Sequence, residues 1–149
     1  MNNIDTIMQL IDWRSSKEDQ KKGIDMAKEV KCIKAFFQPS GPGYNKSVWE
    51  NCAAIICSRS DEELKPYISD MLMWLEDLNW PGAEKVLQRL LSFAEVSVLA
   101  LTIEHTIPAL IAIDETSWLM SIARLLEHQK LRQALHDDTV NVLSEYIVN

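Results

Sequence analysis

The sequence is poor in glycine, proline and cysteine, with four, five and three of them in 149 residues. So little glycine leaves no phosphate-binding loop, and neither G-x-G-x-x-G nor G-K-[ST] occurs. Residues 40–44 hold two glycines, but Pro42 lies between them and removes an amide donor. Nucleotide chemistry is therefore not expected.

The three cysteines are an odd number and form no C-x-x-C pair. Cys52 and Cys57 are expected as small buried apolar residues, while Cys32 lies beside Lys31 and Lys34 and is a weak candidate for a reactive thiol. The N-terminal sequence lacks the pattern of a secretory signal, so a reducing, cytoplasmic location is expected.

A long uninterrupted apolar run is also missing. Residues 96–113 come nearest, but polar residues and Pro108 interrupt them. A transmembrane helix needs about 20 mostly apolar residues, so no membrane partner is expected.

Basic residues are outnumbered: 15 Lys and Arg face 22 Asp and Glu, for a net charge of −7. Residues 1–47 carry eight basic and six acidic side chains, whereas residues 48–149 carry seven and sixteen. An acidic body repels phosphate backbones, which argues against nucleic acid as a partner. The acidic excess is consistent either with a solvated surface that maintains solubility or with a surface that attracts a basic protein.

What the sequence does contain is helical periodicity, with almost no strand alternation. Apolar stripes predict helices over residues 4–11, 16–30, 48–57, 61–78, 80–91, 94–113, 114–126 and 137–147. Three serines begin candidate capping boxes, at residues 15–18, 47–50 and 60–63.

Proline and polar residues refine these helix limits. Asn79 and Asp114 are predicted N-caps, Pro66 is expected to bend a helix, and Pro108 to kink or divide one. Residues 36–45 form the one clear irregular loop, with Phe36 and Phe37 beside proline and glycine. The chain is predicted to be a single all-α domain over residues 1–149, either stacked antiparallel helix pairs or an irregular bundle.

Tryptophans suggest a faint repeat. Trp49, Trp80 and Trp118 each follow a polar capping residue near the start of a predicted helix. Trp49 and Trp80 are 31 residues apart, and Trp80 and Trp118 are 38 apart. Intervals of this length are typical of stacked helical repeats. Such tryptophans either wedge one helix pair against the next or form a ridge that faces a partner.

Residues 74–81, Trp-Leu-Glu-Asp-Leu-Asn-Trp-Pro, resemble the W-L-x-D-x-N-W-P signature of an uncharacterised bacterial domain family. The resemblance implies a short right-handed α-α superhelix of the HEAT type. It implies no activity and supplies no catalytic residues. Small acidic members of the family are similar in size and style to bacterial immunity proteins that neutralise toxins.

Residues that carry enzyme chemistry are sparse. His105, His128 and His136 have no metal-ligand spacing, so no metal and no cofactor are expected. The carboxylate pairs, such as Asp137 and Asp138, fall at predicted helix ends, where capping explains them.

The sequence therefore predicts a cytoplasmic, non-enzymatic, protein-binding module with no catalytic residues, in the manner of an immunity or adaptor protein. The candidate partner-binding residues are Glu76, Asp77, Asp114, Glu115, Trp80 and Trp118. The alternative is an enzyme or small-ligand binder with a pocket under residues 36–44. Oligomeric state is left open, and a homo-oligomer formed through exposed apolar helix faces is a third possibility.

Overall fold

The computed structural model describes residues 3–41 and 43–148, and this part of the chain is all-helical. Short 3-10 turns cover Lys34–Phe36, Lys46–Val48, Lys65–Tyr67 and Arg124–Glu127. The α-helices are α1 Ile4–Ile11, α2 Lys17–Ala27, α3 Trp49–Cys57, α4 Asp61–Leu64, α5 Ile68–Trp74, α6 Ala83–Leu91, α7 Val96–Ala112, α8 Thr116–Ala123, α9 Gln129–Ala134 and α10 Asp137–Ser144.

Helices α1 and α2 form the first hairpin. The α1 stripe is confirmed, because Ile7, Met8 and Ile11 are buried. The predicted capping box at residues 15–18 is wrong by one residue: the Asp19 amide donates to Ser16 Oγ at 3.0 Å. The Ser15 hydroxyl instead donates to the Gln9 carbonyl at 2.9 Å. Helix α2 also ends at Ala27, earlier than predicted.

Residues 36–45 contain no α-helix where they are described, as expected, and Pro42 lies outside the described residues. Phe36 and Phe37 are fully buried. The Ser40 hydroxyl donates to Asp70 Oδ1 at 2.6 Å, and the Tyr44 hydroxyl donates to Asp5 Oδ1 at 2.7 Å. This loop is therefore attached to the helices at both ends.

The start of α3 differs from its prediction. Asn45 caps a 3-10 turn, with its Oδ1 accepting from the Ser47 amide at 2.9 Å. The predicted capping box at residues 47–50 is wrong, because Ser47 is buried and its hydroxyl donates to Asp12 Oδ2 at 2.7 Å.

The capping box at residues 60–63 is confirmed. Ser60 Oγ accepts from the Glu63 amide at 3.2 Å, and the Ser60 amide donates back to Glu63 Oε1 at 3.4 Å. Pro66 interrupts this segment as predicted, with the 3-10 turn Lys65–Tyr67 separating α4 from α5.

Pro108 was predicted to kink or divide this segment; α7 runs unbroken through it, so the division is wrong. Proline removes one backbone hydrogen bond, but buried residues on both sides of it, Ile103, Ile107 and Leu110, hold the helix against its neighbours. No described helix is both long and apolar enough to cross a lipid bilayer.

The C-terminal region is less regular than predicted. Helix α9 was not expected, and α10 ends at Ser144 rather than near residue 147. The segment around α9 buries only Leu131 and Leu135, too few apolar positions to make a visible stripe.

Most packing joins helices that are near one another along the chain. Helix α1 packs on α2, α2 on α3, α3 on α6, α5 on α6 and α7, and α7 on α8 and α9. Polar contacts connect the first hairpin to α3 and to the residues just beyond it: Asn51 Nδ2 donates to the Ile11 carbonyl at 2.7 Å. Arg59 Nη2 donates to the carbonyls of Ala27 and Val30, each at 2.8 Å.

Candidate functional site

A cavity of about 830 Å³ forms an open groove between two parts of the chain. One side is the turn after α5. The other side is formed by α8 and the 3-10 turn Arg124–Glu127, together with Arg132 in α9 and the C-terminal residues Ile147 and Val148. We call this cavity the groove. Its acidic residues are Glu76, Asp77, Glu115 and Glu127, and its apolar residues include Trp80, Met120, Leu126, Ile147 and Val148.

Four of the six candidate partner-binding residues, Glu76, Asp77, Glu115 and Trp80, line the groove. The groove thus brings together residues that are far apart in the sequence. The other two candidates, Asp114 and Trp118, do not line it.

Trp118 connects helices instead. Its indole Nε1 donates to the Leu72 carbonyl at 2.8 Å, which fixes α8 against α5. Trp118 therefore positions one side of the groove without lining it.

Asp114 lies at the junction of α7 and α8 with a φ of 58°, in the left-handed region that favours glycine. The Asp114 amide donates to the Ile111 carbonyl at 3.1 Å and the Glu115 amide to the Leu110 carbonyl at 3.0 Å. Together these two hydrogen bonds form a Schellman motif, a common C-terminal cap of helices. Asp114 was predicted to be an N-cap, but Glu115 is the N-cap residue of α8, and Asp114 terminates α7.

The acidic turn at residues 76–80, on the other side of the groove, is held by hydrogen bonds within the turn itself. Asp77 Oδ1 accepts from the Asn79 amide at 2.8 Å, and the Trp80 amide donates to the Asp77 carbonyl at 3.0 Å. Asn79 was predicted to cap the next helix, which is wrong because α6 begins at Ala83 with Gly82 as its N-cap. An aspartate side chain that accepts from the backbone amide two residues later closes a turn, called an Asx turn.

Gly82 allows this turn to approach α3 closely. Its φ is +84°, and an added Cβ would lie 2.6 Å from Ala53 Cβ and 2.9 Å from the Trp49 carbonyl oxygen. The Gly82 amide donates to Glu50 Oε1 at 3.0 Å, and Glu50 also pairs with Lys85 at 2.9 Å.

Three tryptophans pack behind the turn. The Trp49 ring meets the rings of Trp74 and Trp80 edge-on, with centroids 6.1 and 5.5 Å apart. Trp74 Nε1 donates to the Pro81 carbonyl at 3.0 Å, while the buried Trp49 Nε1 has no partner among the described residues. Lys46 Nζ lies 5.8 Å from the centroid of Trp80. Trp74, Trp80 and Pro81, which carry the resemblance, therefore build the support of one groove wall.

The charges around the groove are unbalanced. Arg124 is engaged by Glu84 through two hydrogen bonds of 3.1 and 3.0 Å, and this contact lowers the pKa of the Glu84 carboxyl. None of the four groove carboxylates forms an ion pair with a described residue, and neither does Arg132. The groove thus carries a net negative charge that can be neutralised from outside.

Sequence reasoning missed the contribution of α8 and the segment after it. Ser117, Met120 and Arg124 recur at intervals of three or four residues, so they share one face of the helix. That periodicity was available in the sequence, but it alternates polar and apolar residues and therefore resembles an ordinary partly exposed face.

The histidines do not meet. His128 caps α9: its Nδ1 accepts from the Leu131 amide at 3.4 Å and its Nε2 lies 2.7 Å from the Phe93 carbonyl oxygen, which assigns the proton to Nε2. His136 contacts Glu104 and His105 is exposed. Within residues 3–41 and 43–148, no group of three or more histidine, cysteine and acidic side chains has the geometry of a metal site.

The thiols are separate as well. Burial raises the pKa of the Cys57 thiol to about 11, and burial also raises the pKa of Cys52. Cys32 is exposed, and neither Cys32 nor His105 lines the groove. The groove also includes no residue of the 36–44 loop, so the pocket of the alternative prediction does not coincide with it.

A family model described as "Domain of unknown function (DUF5071)" matches residues 49–146. No curated protein and no solved structure matches the chain. The matched residues include every residue of the groove except Ile147 and Val148. The expectation of an uncharacterised family is confirmed.

Proposed function

Since the chain belongs to the DUF5071 family, whose description assigns no activity, we propose a function from its own groove. The protein is a non-enzymatic, cytoplasmic binding module, and the groove receives a basic segment of another protein. No cofactor or metal takes part in this binding.

One observation carries the proposal. Glu76, Asp77 and Glu115 converge on one cavity with no cationic partner among the described residues, beside the apolar Trp80, Met120 and Leu126. Carboxylates of this kind gain a partner when a basic segment docks, and the apolar side chains supply desolvated contact area. A partner that offers lysine or arginine next to an apolar side chain fits both features.

The same proposal includes the arrangement of the helices. We propose that the helices stack as antiparallel pairs in a short HEAT-like superhelix, supported by contacts that join helices close in sequence. In such a stack the turns between helices line up along one side, and the turn at residues 76–80 would belong to a shared binding edge.

A small acidic protein that binds a basic one through such an edge would act as an immunity-like protein or an adaptor. This role rests on charge and size, not on a transferable motif. It predicts rapid association at low ionic strength and weak binding at high salt, because complementary charge acts mainly on the rate of encounter.

The test compares three baits in affinity capture from the native host. The groove variant carries Glu76→Gln, Asp77→Asn and Glu115→Gln, and the asparagine keeps an oxygen that can accept from the Asn79 amide. The control carries Glu18→Gln, Glu29→Gln and Asp138→Asn, which remove the same charge from exposed residues outside the groove.

We expect one protein to be retained by the native chain and by the control but lost by the groove variant. With the purified partner, three exposed contacts of about 0.2–1 kcal/mol each should weaken binding roughly 3- to 150-fold at low salt. Equal binding of the groove variant and the control, or binding indifferent to salt, would refute the proposal.

A further inference from the structure

A lysine side chain lies over two tryptophan rings next to the groove. Lys46 Nζ is 5.5 Å from the ring centroid of Trp49 and 5.8 Å from that of Trp80. The planes of the two rings meet at 84°, so the rings form a corner around the ammonium group. Trp80 lines the groove, whereas Lys46 and Trp49 do not. The corner is therefore a site for a cation that adjoins the groove.

The ammonium group of Lys46 has no carboxylate partner among the described residues. Its side chain is exposed and forms no ion pair there, although Glu76 and Asp77 line the groove together with Trp80. A cation over an aromatic ring gains only a modest attraction at an exposed position. Another cation can therefore take the place of Lys46 at little cost.

The ring of Trp80 is held in position before any partner arrives. It meets the ring of Trp49 edge-on, with the centroids 5.5 Å apart, and Trp49 is itself buried. The Trp80 amide also donates to the Asp77 carbonyl at 3.0 Å. A side chain that is already ordered loses little conformational freedom when a partner docks on it.

Asp77 adds an oriented carboxylate to the same turn. Its Oδ1 accepts from the Asn79 amide at 2.8 Å, which leaves Oδ2 available to a partner. A planar guanidinium can stack on an indole and still donate from its edge to a carboxylate, whereas a lysine ammonium is a point charge that has no face to stack. A ring and a carboxylate that line one groove therefore suit arginine better than lysine.

We propose that Trp80 receives an arginine side chain of the basic segment, and that Lys46 occupies this position in the free protein until the arginine displaces it. This inference rests on the proposed function of the groove and names the residue that the partner presents there. The guanidinium stacks on the Trp80 ring and turns its edge to Asp77. Lys46 belongs to a 3-10 turn, Lys46–Val48, and its exposed side chain moves into solvent.

Two synthetic peptides that differ only in their cations test the inference. One is an acetylated and amidated hexapeptide of alternating leucine and arginine, and the other has lysine in place of arginine. Calorimetric titration of the full chain at low salt should show about 2- to 5-fold tighter binding of the arginine peptide, the gain expected from one cation stacked at an exposed site. Trp80→Leu keeps an apolar side chain without a ring face, so it should bring this ratio towards 1 while both peptides still bind.

A second variant leaves the ring intact and removes its occupant. Lys46→Gln should strengthen binding of the arginine peptide about 2- to 5-fold. Lys130→Gln is the matched control, because Lys130 is exposed and close in sequence to Arg132 of the groove but does not line it. In about 0.5 M salt any gain from Lys130→Gln should vanish, since it comes from charge alone, whereas the gain from Lys46→Gln should persist. In the Trp80→Leu background Lys46→Gln should give no such gain.

The outcomes separate this inference from the proposed function. Equal affinities of the two peptides for the native chain, or equal gains from Lys46→Gln and Lys130→Gln in high salt, would overturn the inference and leave the groove as a site for basic segments. The groove variant with Glu76→Gln, Asp77→Asn and Glu115→Gln should weaken the binding of both peptides. If it binds them as the native chain does, the proposed function is wrong whatever the preference between cations. No binding of either peptide to the native chain would overturn both.

Discussion

Replacement of Gly82 by alanine should destabilise the protein strongly. Gly82 has a φ of +84°, a conformation that costs an L-residue about 1–2 kcal/mol. Its new Cβ would also lie 2.6 Å from Ala53 Cβ, 2.9 Å from the Trp49 carbonyl oxygen and 3.2 Å from Trp74 Cζ2. Overpacking of this kind costs about 1–3 kcal/mol, because all three neighbours are buried residues of α3 and α5 and cannot withdraw freely.

The total for Gly82→Ala is therefore about 2–5 kcal/mol of unfolding free energy. For a chain of this size each kcal/mol lowers Tm by about 2–4 °C, so the expected loss is roughly 4–20 °C. Urea unfolding followed by circular dichroism measures the free energy, and calorimetry measures Tm.

Gly43→Ala is the matched control, since an added Cβ there meets nothing within 4 Å. It should change stability by less than about 0.5 kcal/mol or stabilise slightly. Combining Gly82→Ala with Ala53→Gly removes the closest contact but leaves the backbone strain, so the pair should be less destabilised than the sum of the two single changes. A loss below about 1 kcal/mol for Gly82→Ala, similar to that of Gly43→Ala, would refute the reasoning.

Three further predictions concern other parts of the fold. Asp114→Gly should stabilise the chain by about 0.5–1 kcal/mol in urea unfolding, because glycine accepts the left-handed conformation without strain, whereas Asp114→Ala should not. The Arg14 guanidinium lowers the pKa of the Asp12 carboxyl, so the native chain should be more stable than Asp12→Asn by a constant amount above about pH 5. This difference in unfolding free energy should diminish as the pH falls from about 4 towards 2. An unchanged difference over that range would contradict the prediction. A thiol reagent at pH 8 should rapidly modify only Cys32 in the native protein and all three cysteines in urea. Cys52 is buried and Cys57 half-buried, and both have raised pKa values. Rapid reaction of more than one thiol in the native protein would contradict this prediction.

Helices with a clear apolar stripe were predictable from the sequence. Ile7, Met8 and Ile11 marked α1, and Ser60 with Glu63 marked the start of α4, because each signal is local and has no competitor nearby. Helix α9 was not predictable in this way, since it is short and held mainly through Leu131 and the cap at His128.

Predicted caps were wrong where more than one nearby polar residue could begin a helix or a turn. Ser15 and Ser16 both suit an N-cap, and the choice depends on the Gln9 carbonyl, which only tertiary structure brings to Ser15. Asn79 does not cap a helix because it lies in the turn closed by Asp77, and α6 begins only at Ala83. Local rules give the candidates in such cases, but a contact from elsewhere in the fold selects between them.

The candidate site was accessible from the sequence only in part. Glu76, Asp77 and Trp80 belong to one unusual segment, and Glu115 was included because a similar acidic turn precedes Trp118. Arg124, Glu127 and Arg132 were missed because their placement beside residues 76–80 depends on tertiary contacts such as the hydrogen bond from Trp118 in α8 to the Leu72 carbonyl in α5.

The hydrogen bonds from Asn51 and Arg59 to the first hairpin bear on how the family could diversify. The family model begins at residue 49, yet these two side chains inside it donate to the carbonyls of Ile11, Ala27 and Val30, outside it. A relative that exchanged its first hairpin for a different one would leave a half-buried amide and a half-buried guanidinium without these partners unless both side chains changed with it. In this chain the unit that these contacts hold together is therefore larger than the matched region, and we expect relatives to lose or keep Asn51 and Arg59 together with the hairpin.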